Sequence, residues 1–319
     1  MVADQAGGFL MELAIMIEGQ NGLNWPRWQR LVTAVEELGF SGLYRSDHFT
    51  NARPPDKDSL ELWVSLTWLA DHTRRIRFGP LVTPFSFRHP ALTARMAAAV
   101  DDLSGGRLTL GVGAGWQERE HNLFGFDLLP PRERFERFEE GVIVLKQLLA
   151  GGQPVTFHGQ FYHLDGAQIL PPPQRGAGLP ILIGGNGKKR TLPLAAKYAD
   201  EWNAIFLTPA AFSELNRYLD ELILQSGRQL SQVQRSMMTG LVFGKDQDAV
   251  QQSARLYGGS GLTAQDLRAR GLVVGTPPEV VEQIHTLSEA GVQRLMLQWL
   301  DLDDVEGLEV LAKTVLESL

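Results

Sequence analysis

Short runs of β-branched and apolar residues alternate along the chain with longer stretches whose apolar positions recur every three to four residues, which predicts parallel βαβ units. Strand runs are read at 12–17, 42–46, 76–83, 107–112, 180–183, 201–205, 236–243 and 294–298, each followed by a helical pattern. Eight such units predict an α/β protein built as a (β/α)8 TIM barrel. The first helix is expected over 25–38, with Asn24 as N-cap, Pro26 in the first turn and Gly39 as the stop. Helical patterns at 60–70, apolar on more than one face, and at 90–103, rich in alanine, read either as a homodimer face or as a closely packed barrel exterior. Two stretches break the alternation. Around His158, Gly159 and Gln160 a period of two reads as a hairpin followed by a proline-stiffened loop, and 244–276 holds short helical pieces around a GGSG segment. Both, at about 153–179 and 244–276, are expected as rim insertions in one domain spanning 1–319.

Composition narrows the partners. The 319 residues, 44% of them hydrophobic, suffice for a large core. Net charge is −7, from 37 acidic and 30 basic side chains, and no basic block is present to neutralise a run of phosphates, so nucleic acid and acidic membrane surfaces are poor partners. With no cysteine there is no disulfide, thiolate nucleophile or sulfur-ligated metal. No apolar run approaches the roughly 18 residues of a spanning helix, and the amino terminus carries no basic residue, so an unprocessed cytoplasmic protein is expected.

Candidate chemistry gathers where strands should end. GVGAGW, from Gly111 to Trp116, misses the dinucleotide fingerprint, because its third glycine falls one position early at Gly115 and Trp116 stands where glycine or alanine is wanted. Its glycines still let backbone amides converge on an anion. GGNGKKR fails as a triphosphate loop, yet Gly184, Gly185, Asn186 and Gly187 read as an amide nest opening a helix at Lys188. A plain turn is the alternative for the first, and Lys189 and Arg190 of the second read as solvated helix-face charges. YRSDHF places Asp47 and His48 at the carboxyl edge of the second strand. His48 is the acid–base candidate, because its ordinary pKa lies near neutrality, and packing in the loop is the alternative. Asp47, its neighbour on a strand, is expected to face the other way. The other six histidines form no HExxH pair or carboxylate cluster, so no catalytic metal is expected, and no GxSxG elbow is present. In RIRFGPLVTPFSFRHP, Gly79, Pro80, Pro84 and Pro90 predict an irregular third strand, with a bulge or a non-prolyl cis peptide pushing backbone into the barrel mouth.

Together, YRSDHF, RIRFGPLVTPFSFRHP, LSGGRLTLGVGAGWQEREHNLFGF and ILIGGNGKKRTLPLAAKYADEWN resemble the bacterial luciferase-like flavin and deazaflavin oxidoreductases over about 12–203, and more loosely beyond. The GAGW turn with its following EREH is similar to the coenzyme F420-dependent branch. That resemblance implies F420 as cofactor, with FMN as the alternative. It implies hydride transfer between the deazaflavin ring and a small, partly hydrophobic substrate. An FMN-dependent monooxygenase using dioxygen and a separate reductase is the first rival, and a non-catalytic flavin- or deazaflavin-binding protein the second. It further implies a cis bulge behind the ring at Leu81 and Val82 with Thr83 beside it. Gly111, Gly113, Ala114 and Gly115, then Gly184, Gly185 and Asn186, would meet the phosphate tail. Asp47 would touch the ring or its ribityl chain, His48 would lie near the reactive carbon, and Glu18 would join them. Sugar-phosphate dehydrogenases of the family carry an acidic residue at the position of Trp116, which argues against a phosphorylated sugar. Trp116, Phe85 and Trp299 are expected instead as apolar walls of the substrate pocket, with core packing the alternative for Trp299.

Overall fold

A computed structural model describes residues 11–257 and 262–318. Its strands are β1 (Glu12–Ile17), β2 (Gly42–Arg45), β3 (Arg77–Pro80), β4 (Thr83–Pro84), β5 (Leu110–Gly113), β6 (Val155–His158), β7 (His163–Ala167), β8 (Ile181–Gly184), β9 (Glu201–Ile205), β10 (Gln234–Phe243), β11 (Val273–Gly275) and β12 (Arg294–Gln298). Its helices are α1 (Trp25–Glu37), α2 (Leu62–His72), α3 (Pro90–Ser104), α4 (Glu118–Phe124), α5 (Pro131–Ala150), α6 (Thr191–Tyr198), α7 (Pro209–Gln225), α8 (Gln247–Ala254), α9 (Ala264–Ala269), α10 (Pro277–Glu289) and α11 (Val305–Thr314).

Nine parallel strand segments run in the order β3-β2-β1-β12-β10-β9-β8-β5-β4 and fill eight barrel positions. The third position is divided. β3 pairs with β2, β4 pairs with β5, and the cis peptide between Leu81 and Val82 lies between them. A bridge between Phe78 of β3 and Leu108, just before β5, spans the gap, so the parallel barrel is nearly closed.

Strand alternation sorts side chains into two cores. From β1, Leu13, Ile15 and Ile17 point outward beneath the helices, meeting Trp28, Leu31 and Val35 of α1. Ala14 and Met16 point inward, joining Tyr44, Leu182, Met238 and Met296 inside the barrel. Several boundaries differ from the sequence pattern for local reasons. α2 starts at Leu62 because the Glu61 carboxylate caps it, accepting from the Val64 amide at 2.7 Å. α6 starts at Thr191, later than expected, because residues 188–190 form a turn whose Gly187 carbonyl accepts from the Leu192 amide. The sequence pattern marks no element at Glu118–Phe124, where the structure has α4.

Two rim additions stand off the barrel. The antiparallel hairpin β6–β7 is fastened by Glu140 of α5, whose carboxylate accepts from the amides of Gln160, Phe161 and Tyr162. The other carries α8, α9 and β11, which pairs with β10 outside the main strand order. The GGSG segment lies outside the described residues. Among the described residues, no helix is long and apolar enough to cross a membrane.

Candidate active site

At the carboxyl ends of the strands, where this architecture gathers functional side chains, a cavity of about 460 Å³ opens. Its lining includes Glu18 after β1, Asp47 and His48 after β2, Leu81 and Val82 at the divided third strand, Gly113 to Trp116 after β5, and Gly184 of β8. A larger cleft of about 660 Å³ runs beside β10, β12 and α11. It contains none of these groups, and the convergence of histidine, carboxylates and glycine turns makes the smaller cavity the candidate site.

Each polar side chain of the mouth is held from behind. The Glu18 carboxylate accepts from Gln298 Nε2 at 2.7 Å and from Gln20 Nε2 at 2.8 Å. Gln20 in turn accepts from the Ser46 hydroxyl at 2.6 Å. Asp47 is buried, and one of its oxygens accepts from Thr83 Oγ1 at 2.7 Å and from Arg88 Nη1 at 2.5 Å. Arg88 also reaches Glu61 at 2.9 Å, so its charge is spent between two carboxylates. Burial pushes the Asp47 carboxyl above its ordinary range, against the pull of Arg88 and Thr83.

His48 meets a partner from a distant element. Its Nδ1 lies 2.8 Å from Oε1 of Glu120, on α4. The other oxygen of Glu120 accepts the Phe49 amide at 3.0 Å. Burial pushes the imidazole down. The hydrogen bond and charge of Glu120, with Glu18 and Asp47 behind it, outweigh burial and lift it above its ordinary 6.5. The Trp116 ring stands edge-on to the imidazole at 5.5 Å and is 63% exposed, forming an outer wall.

The glycines divide into two roles. A Cβ at Gly111 would collide with the Pro80 carbonyl, and Gly111 does not line the cavity. This glycine lets β5 approach the divided third strand, which corrects its expected contact with a cofactor tail. Gly113 faces Val82, where a Cβ would come within 2.6 Å of Cγ2. Ala114, Gly115 and Trp116 line the cavity, and among the described residues their amides and that of Gln117 have no protein acceptor. In the second turn only Gly184 lines the cavity. Gly185 donates to the Asn203 carbonyl at 2.9 Å. Asn186 grips the Ile205 backbone from both sides, at 2.7 and 3.0 Å. Gly187 supplies the carbonyl at the start of α6. Gly185, Asn186 and Gly187 thus shape the wall without lining it, although the amides from Asn186 to Lys189 also have no protein acceptor among the described residues.

Two expected aromatic walls lie elsewhere. Phe85, following Pro84, turns away from the mouth to pack on Phe138 and against Gly141 in the outer core. Trp299 is buried and lines the larger cleft rather than the candidate cavity. The apolar walls actually present besides Trp116 are Phe135, Phe206 and Met238. Sequence reasoning missed Glu120, Arg88 and Gln298. The traces they left were the EREH and SFRHP segments and a glutamine ending an apolar strand run.

The lining suits a planar group with an anionic tail. Val82 stands between glycines on β5 and β8, and one rim offers unspent backbone amides that can meet an anion. Among the described residues no cluster of three metal-ligating side chains occurs.

A parallel barrel with a divided third strand, and acid–base groups beside a glycine rim, defines a TIM-barrel protein with a candidate active site at the barrel mouth. A family model described as luciferase-like monooxygenase matches residues 11–271, and the chain belongs to that family. It is 32% identical over 192 residues to 4-hydroxyprotoasukamycin monooxygenase of Streptomyces nodosus subsp. asukaensis, covering 60% of this chain and 50% of that protein. It is 28% identical over 277 residues to the F420-dependent glucose-6-phosphate dehydrogenase of Kineococcus radiotolerans, covering 85% and 77%. The coenzyme F420-dependent tetrahydromethanopterin reductase of Methanopyrus kandleri superposes with a TM-score of 0.79 over 97% of this chain and 99% of that one, at 21% identity, and shares the fold.

Proposed function

We propose that this protein is a coenzyme F420-dependent oxidoreductase that moves a hydride between the deazaflavin and a small, partly hydrophobic organic molecule. The observation that carries this reading is the meeting, in one cavity, of Val82, the open amides of Ala114 to Trp116, and His48. The F420-dependent relatives named above support it. When bound, the cofactor supplies a ring carbon that accepts or gives a hydride.

The chain's own residues do the rest. Leu81 and Val82 would back the ring, the amides after β5 would hold the phosphate, and Asp47 and Glu18 would offer acceptors to ring or ribityl groups. With the cofactor so held, hydride transfer would require a substrate carbon within ~3–3.5 Å of the ring. As the hydride leaves the substrate carbon, the heteroatom proton passes to Nε2 of His48, and the reverse reaction returns it. The charged groups lining the cavity are Glu18, Asp47, Glu120 and His48, with no lysine or arginine to hold a substrate phosphate. Trp116, Phe135 and Phe206 therefore favour a neutral, partly apolar molecule over the sugar phosphate named for the Kineococcus relative. A homodimer through α2 and α3, where Val64 and Leu92 are exposed, is part of the same proposal.

Titration of the purified protein with F420 and with FMN tests the assignment. Micromolar affinity for F420 with turnover of neutral alcohols or ketones is expected. Micromolar FMN binding with none for F420 would overturn it in favour of the monooxygenase reading. F420 binding without turnover of any substrate would favour a carrier.

A further inference from the structure

We infer that Glu120 is a positioning residue that sets the proton arrangement of His48, so that Nε2 carries the lone pair facing the cavity. The inference rests on the proposed role of His48 and extends it to a residue in the first turn of α4, 72 positions away.

Glu120 is 1% exposed, and both of its oxygens are used. Oε2 accepts the Phe49 amide at 3.0 Å, and Oε1 lies 2.8 Å from Nδ1. An ionised carboxylate has only acceptors, so the hydrogen between Oε1 and Nδ1 belongs to the imidazole. A neutral imidazole with its proton on Nδ1 has its lone pair on Nε2. Nε2 has no protein partner among the described residues, and the ring lines the cavity. Backbone geometry reinforces the pairing. Phe49 follows His48 directly, so one carboxylate grips both the ring and the adjoining amide, while the Ser59 hydroxyl donates to the His48 carbonyl at 2.6 Å. The loop after β2 is therefore anchored from two sides, and the ring has little freedom to turn away.

The same contact explains how His48 changes charge at a buried mouth. When Nε2 takes a proton, both ring nitrogens donate, and the Nδ1–H then faces a carboxylate. The other charged groups around the ring are Glu18 from the end of β1 and Asp47 beside it, the latter neutralised by Arg88 from the segment after β4. In the direction in which His48 accepts a proton, kcat rises with pH through the His48 pKa. Loss of Glu120 moves that limb to lower pH.

The test uses Glu120→Gln, which keeps the side chain's shape, with Glu120→Asp as a shorter carboxylate. In the Glu120→Gln variant, an amide oxygen accepting from Phe49 leaves the NH2 facing Nδ1, which forces the ring proton onto Nε2. Full-length protein labelled with [15N]histidine, with His48 assigned by its loss in His48→Asn, reports the proton position without cofactor or substrate. Wild type is expected as the Nδ1–H form when neutral, titrating above 6.5. Glu120→Gln is expected as the Nε2–H form with a lower midpoint. Its kcat should fall by about 10²- to 10⁴-fold with KM little changed, and Glu120→Asp should recover part of the loss. A wild-type Nε2–H ring, or an unchanged proton position and midpoint in Glu120→Gln, would overturn the inference. The expected spectra in a protein that turns over nothing with F420 would uphold this inference and sink the functional reading instead. Circular dichroism of both variants checks that the fold is kept, and a wild-type Nε2–H spectrum decides against the inference even if neither variant folds.

Discussion

The barrel buries ionised side chains at both ends, and the two ends do different things with them. At the amino-terminal floor, Arg294 donates from Nη1 to Glu201 at 2.5 Å and from Nε to Glu12 at 2.6 Å, and Arg294 and Glu201 are almost wholly buried. These three open β12, β9 and β1. At the mouth, Asp47 pairs with Arg88 and His48 with Glu120. The floor also leaves polar atoms without partners, Tyr44 Oη, Glu201 Oε1 and Arg294 Nη2. Neither cavity described above reaches them. What separates the two ends is access: an unspent polar atom becomes chemistry only where a substrate can meet it, and elsewhere a buried charge specifies the fold.

The contrast breaks most visibly if His48→Asn leaves catalysis intact. The asparagine side chain in this variant retains a donor for Glu120, so stability should move by no more than about 1 kcal/mol, whereas kcat should fall by about 10²- to 10⁴-fold. Stopped-flow or steady-state assays and urea melts measure the two. The pH dependence has a definite sign. The folded-state pKa of His48 is raised, so its contribution to stability is fully present below the ordinary 6.5 and is lost as pH rises through the folded value. The stability gap to His48→Asn should therefore shrink from pH 6 to pH 9, and a gap that widens would contradict the pairing with Glu120.

Arg294→Met is the reciprocal change at the floor. It keeps most of the side-chain volume but leaves Glu201 buried without its cation, a situation that costs about 3–5 kcal/mol. Urea unfolding should show that loss, while kcat per folded molecule stays within about twofold of wild type. A large drop in kcat with the fold intact would show that the floor is coupled to the mouth, and the division between the two ends would fail.

How much of this division was legible in the chain depends on range. The eight strand positions could be read because alternating and continuous apolar runs are local signals, and β1, β9 and β12 have the predicted limits. Asp47 and His48 could be placed at a strand's carboxyl end for the same reason. Glu120 and Arg88 could not be joined to them, because contacts across 72 and 41 residues exist only once the barrel closes. Gly111 and Gly113 look alike in sequence, yet one clears the Pro80 carbonyl and the other faces Val82 beside the cavity. Phe85 and Trp299 show the same limit for aromatic residues. Apolar character says that a ring will be covered, and the tertiary fold alone decides by what.

Gly113→Ala sharpens the boundary between scaffold and site. Its methyl would stand 2.6 Å from Val82 Cγ2, and Val82 lines the cavity. Overpacking of this kind costs about 1–3 kcal/mol. Because Val82 must yield toward the space a ring would fill, cofactor affinity measured by fluorescence titration should drop on the order of 10-fold, or about 1.4 kcal/mol. An equal loss of stability with unchanged cofactor affinity would assign Val82 to the scaffold alone.

The smallest change tests the outermost wall. Trp116 is 63% exposed, so Trp116→Ala removes little buried area and should alter stability by about 0.5 kcal/mol or less. Its ring nevertheless stands beside His48 and borders the cavity. If it covers an apolar substrate, its removal should raise KM for apolar alcohols or ketones several-fold, on the order of 1 kcal/mol, and leave KM for short polar ones nearly unchanged. A graded series of alkyl chain lengths separates the two outcomes. A KM that rises equally along the series would mean that Trp116 acts by orienting His48, and the apolar wall would then rest on Phe135 and Phe206.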